Sequence, residues 1–217
     1  MFARIRHVAI HTENYPRMAT FYQTIFGMKK ITTGLTDDKG YYDPNRGHLS
    51  DGVAGFALLQ RHAGTRSGLD HFGFEVEDIE TLLTRVKQNY PDIRIVTSLE
   101  YVPFSVMRIL DPVGTHIDVS RKGVAKVREG YLEEGWEQPR HLSHIAIRAA
   151  EPSLLAEFYQ RVFELRPVEG VSGKGDVCLS DGRVSLLARP CDTTSYRAIT
   201  EGLDHICLLY TSPSPRD

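Results

Sequence analysis

The sequence predicts an α+β protein: tandem βαβββ modules pairing into a cupped mixed sheet with helices on its outer face, the second half incomplete. Three observations predict it. Residues 4–31 align without a gap on 141–168, a constant offset of 137 with eight identities in 28 positions. Gly68-Leu69-Asp70-His71 recurs as Gly202-Leu203-Asp204-His205 at an offset of 134, and Leu49-Ser50-Asp51-Gly52 recurs as Leu179-Ser180-Asp181-Gly182. Within the first half, His7-Val8-Ala9-Ile10 and His71-Phe72-Gly73-Phe74 each open a strand period that runs into a helix period, so the basic unit is about 60 residues long.

Each element has a local reason. Residues 5–11 alternate as a strand. A helix starts near Asn14-Tyr15-Pro16, carries Met18, Phe21, Tyr22, Ile25 and Phe26 at helical spacing, and stops at Gly27. Tyr22 and its counterpart Tyr159 are read as core. In the second module a strand opens at His71, and Asp78 caps a helix with Ile79, Leu82, Leu83, Val86 and Tyr90 on one stripe. Strands follow at 93–97, 104–110 and 115–120. The last two are joined by Asp111-Pro112-Val113-Gly114, whose Asp, Pro and Gly stand where a type I turn prefers them.

These boundaries divide the chain into a complete domain, 1–121, with modules 4–62 and 68–121, then a linker, 122–140, and a truncated second domain, 141–209. Trp136 in the linker is expected to pack against one half. After His205 the predicted helix and three strands do not follow; residues 210–217 read as a non-native tail on a fragment, in preference to a half completed by another chain.

Composition narrows the function. Of 217 residues 41% are apolar and 25% charged, and 26 basic against 28 acidic side chains leave a net charge of −2. With no basic stripe and no block of like charge, neither nucleic acid nor a membrane surface is an expected partner. Small molecules remain, and a homodimer is compatible with the sequence. Two arginines and a histidine near the start leave no secretory apolar stretch, and no segment approaches a membrane span, so a cytoplasmic location is expected. Cys178, Cys191 and Cys207 have no metal or disulfide spacing and are read as reduced thiols.

Strand alternation gathers the chemistry on one face. His7, Ala9 and His11 point one way, as do His71, Gly73 and Glu75, and as do His116, Asp118 and Ser120; the opposite faces are apolar. A solvated sheet face shows the same polar alternation. However, histidine opens the same frame at His7, His71, His144 and His205. Two imidazoles and one carboxylate match the open triad of non-haem iron oxygenases, and equally suit manganese, zinc or nickel.

The chain resembles the vicinal oxygen chelate superfamily of glyoxalases, bleomycin- and fosfomycin-resistance proteins and extradiol dioxygenases. The resemblance rests on His7 of the first strand, Phe21 to Gly27 at the helix end, the GLDH of 68–71 and the DPxGxxxD of 111–118. It covers 4–121 as one two-module domain and 141–209 as part of another. It implies a divalent metal, Fe2+ favoured over Mn2+, Zn2+ or Ni2+, held by His7, His71 and Asp118. Aspartate stands where most members have glutamate. The glyoxalases' further glutamate is absent from Phe56-Ala57-Leu58-Leu59-Gln60. At the extradiol dioxygenases' usual tyrosine stands Arg108, and Pro103-Phe104-Ser105 lacks a histidine.

The resemblance further implies a metal that chelates vicinal oxygens, with a ring-cleaving dioxygenase slightly ahead of a glyoxalase-like lyase or isomerase. The rival from another class is a metal-free, drug-sequestering binder. His11 and His116, on the faces of the implied ligands, are the acid–base candidates. Arg108 is the candidate for pairing an anionic substrate, and Glu75 the reserve carboxylate. His48 and His62 stand out only by residue type. His144 and His205 repeat the ligand positions without a third ligand strand.

Overall fold

The computed structural model describes residues 2–31, 46–97, 104–122, 138–170, 173–191 and 200–208. Most of the expected linker, Trp136 included, and the expected tail lie outside the described residues.

The first half forms one eight-stranded mixed sheet. Its strands are β1 (Ala3–Thr12), β2 (Lys29–Lys30), β3 (Arg46–Ser50), β4 (Gly55–Gln60), β5 (Gly68–Val76), β6 (Ile95–Thr97), β7 (Met107–Leu110) and β8 (His116–Arg121), in the spatial order β2-β3-β4-β1-β5-β8-β7-β6. The first strands of the two modules, β1 and β5, pair antiparallel at the centre, and each pairs in parallel with the last strand of its own module, β4 or β8. The second half builds five strands of the same plan from β9 (Leu142–Ala149), β10 (Arg166–Pro167), β11 (Val177–Ser180), β12 (Ser185–Pro190) and β13 (Gly202–Leu208), in the order β10-β11-β12-β9-β13. The predicted strand at 104–110 is shorter than expected and starts at Met107, and the Asp111 turn closes by Gly114 N–H donating to Asp111 O.

The helices obey their local signals. In α1 (Tyr15–Phe26) the Asn14 side chain accepts from Arg17 N–H, and Gly27 ends the helix at φ +68°. In α2 (Ile79–Asn89) Asp78 accepts from Thr81 N–H, and Leu82 and Val86 are buried. The third helix, α3 (Pro152–Phe163), ends on Glu164, the repeat counterpart of Gly27, also left-handed at φ +57°.

The two related helices have different surroundings. Six residues of α3 are buried, because it lies over its own sheet and against the first half: Phe163 stacks on Phe74 of β5 at 4.1 Å, and Tyr159 faces Phe72 and Phe74. No residue of α1 is buried, and Phe21 and Ile25 on its predicted apolar stripe are 52% and 43% exposed. Of the predicted stripe Met18, Tyr22 and Phe26 pack partly buried against the core while Phe21 and Ile25 do not, and α1 has no such second surface among the described residues.

The repeated LSDG tetrads join the halves. Asp51 Oδ1 accepts from Val53 and Ala54 N–H while its Oδ2 accepts from Leu142 N–H of β9; Asp181 Oδ1 accepts from Arg183 and Val184 N–H while its Oδ2 accepts from Ile5 N–H of β1. Ile5 and Leu142 are repeat counterparts, so the halves meet about an approximate two-fold axis. A third link runs from Tyr159 Oη–H to Asp111 Oδ2 at 2.8 Å. One hydrophobic core runs through both halves.

Candidate metal centre

Three polar side chains from three adjacent strands of the eight-stranded sheet converge. His7 of β1 pairs in register with Gly73 of β5, Gly73 with Asp118 of β8, and His71 sits one step along β5. One ligand atom from each of His7, His71 and Asp118 lies within 4.8 Å of the others, and all three residues are buried. The two Nε2 atoms are 3.2 Å apart, and Asp118 Oδ2 is 3.1 Å from His71 Nε2. Ligand atoms each about 2.1 Å from one ion are about 3.0 Å apart at right angles and about 3.4 Å apart at the tetrahedral angle, so the His7–His71 and His71–Asp118 separations match those of ligands on a single divalent ion.

A backbone irregularity prepares His71. Between Ala9↔His71 and Ile10↔Leu69 the pairing skips Asp70, a β-bulge. The extra residue brings its carboxylate to its own neighbour, and Asp70 Oδ2 lies 2.6 Å from His71 Nδ1. With that proton on Nδ1, Nε2 presents a lone pair to the centre. The hydrogen bond to His71 is the main reason that the Asp70 pKa falls below the usual carboxylate range. Burial pulls His71 down, but its bonds to Asp118 and Asp70 outweigh this and raise its pKa. His7 is held well below the ordinary value by burial and then by His71, so it is neutral at pH 7. Burial pushes Asp118 up, yet His71 and Arg108 overcome it and keep the carboxylate ionised.

Arg108 of β7 belongs to this cluster. Its Nε donates to Asp118 Oδ1 at 2.5 Å and its Nη2 is 3.4 Å from the His71 ring nitrogens, leaving Oδ2 on the histidine side. Phe104 stacks on His7 at 4.6 Å, and a Cβ on Gly73 would meet Phe104 Cε1 at 2.6 Å and the Asp118 carbonyl at 2.8 Å. Only glycine leaves room for that ring.

The remaining candidates spread along the same face. His116 pairs in register with His71 but is exposed, its pKa lowered by burial and then by Arg108. His11 Nδ1 lies 3.7 Å from Asp70 Oδ1. Glu75 lies farther along β5, in register with Arg4 and Ser120. His62 is exposed, whereas His48 is buried on β3 and close enough to His7 to depress its pKa. Sequence reasoning gave no role to Asp70 or Phe104 and named His48 only for its residue type. Asp70 was signalled by the aspartate in both GLDH copies, while no sequence feature announced the other two.

The second half repeats the arrangement in part. His144 and His205 approach to 3.3 Å through Nε2, and Asp204, again a bulge residue, lies 2.7 Å from His205 Nδ1. No third ligand joins them among the described residues.

Comparison with known proteins agrees with this architecture. A family model described as the Glyoxalase/Bleomycin resistance protein/Dioxygenase superfamily matches residues 4–119. No curated protein matches the chain. Among solved structures, a mutant 4-hydroxymandelate synthase from Streptomyces coelicolor is 13% identical with a TM-score of 0.68 over 96% of this chain and 71% of its own. The Mn(II)-bound glyoxalase from Novosphingobium aromaticivorans is 15% identical with a TM-score of 0.67 over 94% and 64%. The 2,3-dioxygenase LapB from Pseudomonas sp. KL28 is 18% identical with a TM-score of 0.60 over 96% and 75%. Among the described residues no helix is long and apolar enough to cross a membrane.

Proposed function

The chain belongs to the glyoxalase/bleomycin resistance protein/dioxygenase superfamily, and we propose that within it the chain is a metal-dependent enzyme of the ring-cleaving dioxygenase type, acting on a small substrate with vicinal oxygens. The observation that carries this reading is the convergence of His7, His71 and Asp118 within 4.8 Å. Three ligands on one side of an ion leave its other positions to a bidentate substrate and dioxygen. A fourth protein ligand, which an isomerase of the glyoxalase kind would use, has no acidic candidate on Gly55–Gln60.

In this reading His7 Nε2, His71 Nε2 and Asp118 Oδ2 hold the metal, Fe2+ in preference to Mn2+, Zn2+ or Ni2+. When bound, it acts as a Lewis acid that lowers the pKa of the substrate's chelating oxygens. Asp70 fixes the His71 tautomer, and Arg108 holds Asp118 in place while offering its guanidinium to an anionic substrate oxygen. Phe104 keeps water from His7. His116, nearer the surface beside His71, receives or returns the substrate proton, with His11 its alternate.

Two measurements test this. Purified protein is expected to carry about one equivalent of Fe, Mn, Zn or Ni, to take up oxygen with catechol-type substrates, and to lose that activity to chelator. Isomerisation of thiol adducts without oxygen uptake would assign a lyase or isomerase instead. The Arg108–Asp118 ion pair favours a second reading, because it neutralises the carboxylate without a metal. A chain with no stoichiometric metal and chelator-insensitive ligand binding would identify a metal-free binding protein.

A further inference from the structure

The bulge in β1 falls on Arg6. Pairing with β5 passes from Ile5↔Phe74 to His7↔Gly73 and skips it, and bulges re-aim the side chain they carry. Arg6 turns into the seam between the halves, where it is only 5% exposed. A buried guanidinium is costly unless paired. Its Nη1 donates to Val53 O at 3.0 Å, but its Nε, equally buried, has no hydrogen-bond partner.

Beside it is a cavity of about 290 Å3, lined from the first half by Arg4, Arg6 and Val53 and from the second by Asp181 and Arg183. The one acid of this lining is already engaged, since both Asp181 oxygens accept backbone N–H groups. Burial lowers the Arg6 pKa; Arg4 and Arg183 add to this, and Glu75 and Asp181 oppose it. Within the lining three guanidinium groups thus face one carboxylate, with Glu75, in register with Arg4, the other acid near Arg6.

The internal duplication offers a control. At the repeat counterparts of Arg4, Arg6 and Arg183 stand His141, Ser143 and Val53. Ser143 occupies the same bulge in β9. The backbone device is therefore present in both halves, whereas the positive charge is gathered on one side of the approximate two-fold axis alone.

We propose that this seam cavity is a binding site for a small molecule bearing a multiply charged oxyanion of the phosphate type, held by Arg4, Arg6 and Arg183. Guanidinium groups match such oxygens in paired hydrogen bonds, and the incoming charge satisfies the buried Nε. The cavity exceeds an oxyanion in size and accommodates a small body attached to it. Because the cationic groups come from both halves, the ligand braces the seam and stabilises the folded chain.

The test titrates inorganic phosphate into the full chain, stripped of metal and held at constant ionic strength with chloride, and reads the melting temperature. A saturable rise is expected for the parent protein. An Arg4→His/Arg183→Val double variant exchanges exposed arginines for the residues at the repeat counterparts, so it keeps the fold; at least a tenfold loss of apparent phosphate affinity is expected. An unsaturable rise, equal in both proteins, would reflect general exclusion of phosphate from protein surfaces and overturn the proposal. Metal uptake by the double variant is expected to match the parent. If metal and phosphate binding fail together, phosphate belongs to the metal centre and the seam site is refuted.

Discussion

In the proposed metal centre, Asp70 acts through His71. Its carboxylate fixes the Nδ1 proton and ring orientation, and such supporting groups typically contribute 10- to 100-fold in metal affinity. Asp70→Asn is therefore expected to weaken metal binding by about that factor while leaving the melting temperature of metal-free protein within about 2 °C of the parent. Competition with a chromophoric chelator measures the first quantity and a thermal melt the second. An unchanged affinity would show that His71 needs no help from its neighbour.

At this same scale the sequence was uneven in what it revealed. The recurrence of histidine in one frame pointed to His7 and His71, and strand alternation together with the superfamily resemblance pointed to Asp118, because each is a property of a single segment. Asp70 and Arg6 owe their directions to bulges, which exist only when two strands are paired; strand alternation alone sends both side chains to the wrong face. Phe104 reaches His7 from outside any regular element, and the space it occupies depends on the missing Cβ of Gly73, a contact between segments far apart in sequence.

Among the elements, α1 and α3 show how related segments diverge. Gly27 ends α1 in a left-handed conformation that glycine adopts without penalty, whereas Glu164 ends α3 there with a Cβ that disfavours it. Glu164 receives a hydrogen bond from Arg85 in return, but that pair is solvent-exposed in part and contributes little. Glu164→Gly is accordingly expected to stabilise the protein by about 0.5–1 kcal/mol, a rise of roughly 1–4 °C in melting temperature for a chain of this size. A fall on thermal melting would mean that the Arg85 contact outweighs the backbone strain. The existence and order of the helices were legible from caps and periodicity. The exposure of α1 was not, because a helix's apolar stripe does not state how many surfaces will cover it.

For the molecule as a whole, the seam between halves carries a pH response of its own, apart from that of the candidate site. Burial is the principal reason that the Asp111 carboxyl rises to about 6, against the hydrogen bonds from Tyr159 and the turn backbone that oppose it. Asp51, one member of the reciprocal clasp, is raised by burial as well. A carboxyl whose folded pKa exceeds its unfolded value of about 3.9 binds its proton more tightly when folded. Its stabilising contribution is complete below pH about 4 and declines as pH rises to about 6, by a total of about 3 kcal/mol. Asp111→Asn is expected to flatten the corresponding slope in urea-unfolding free energy between pH 4 and 6, and an unaltered slope would exclude Asp111 as its source.

The aspartate clasp has a further consequence for how the chain comes apart. Separating the halves would strip Asp51 and Asp181 of the N–H groups of Leu142 and Ile5, and would expose the aromatic contacts of Phe74 with Phe163 and of Phe72 with Tyr159. Neither half has an independent melting point to offer under these terms. Scanning calorimetry is expected to record a single heat-absorption peak whose van't Hoff and calorimetric enthalpies agree. Two resolved peaks would mean that duplication left behind a pair of autonomous folding units rather than one.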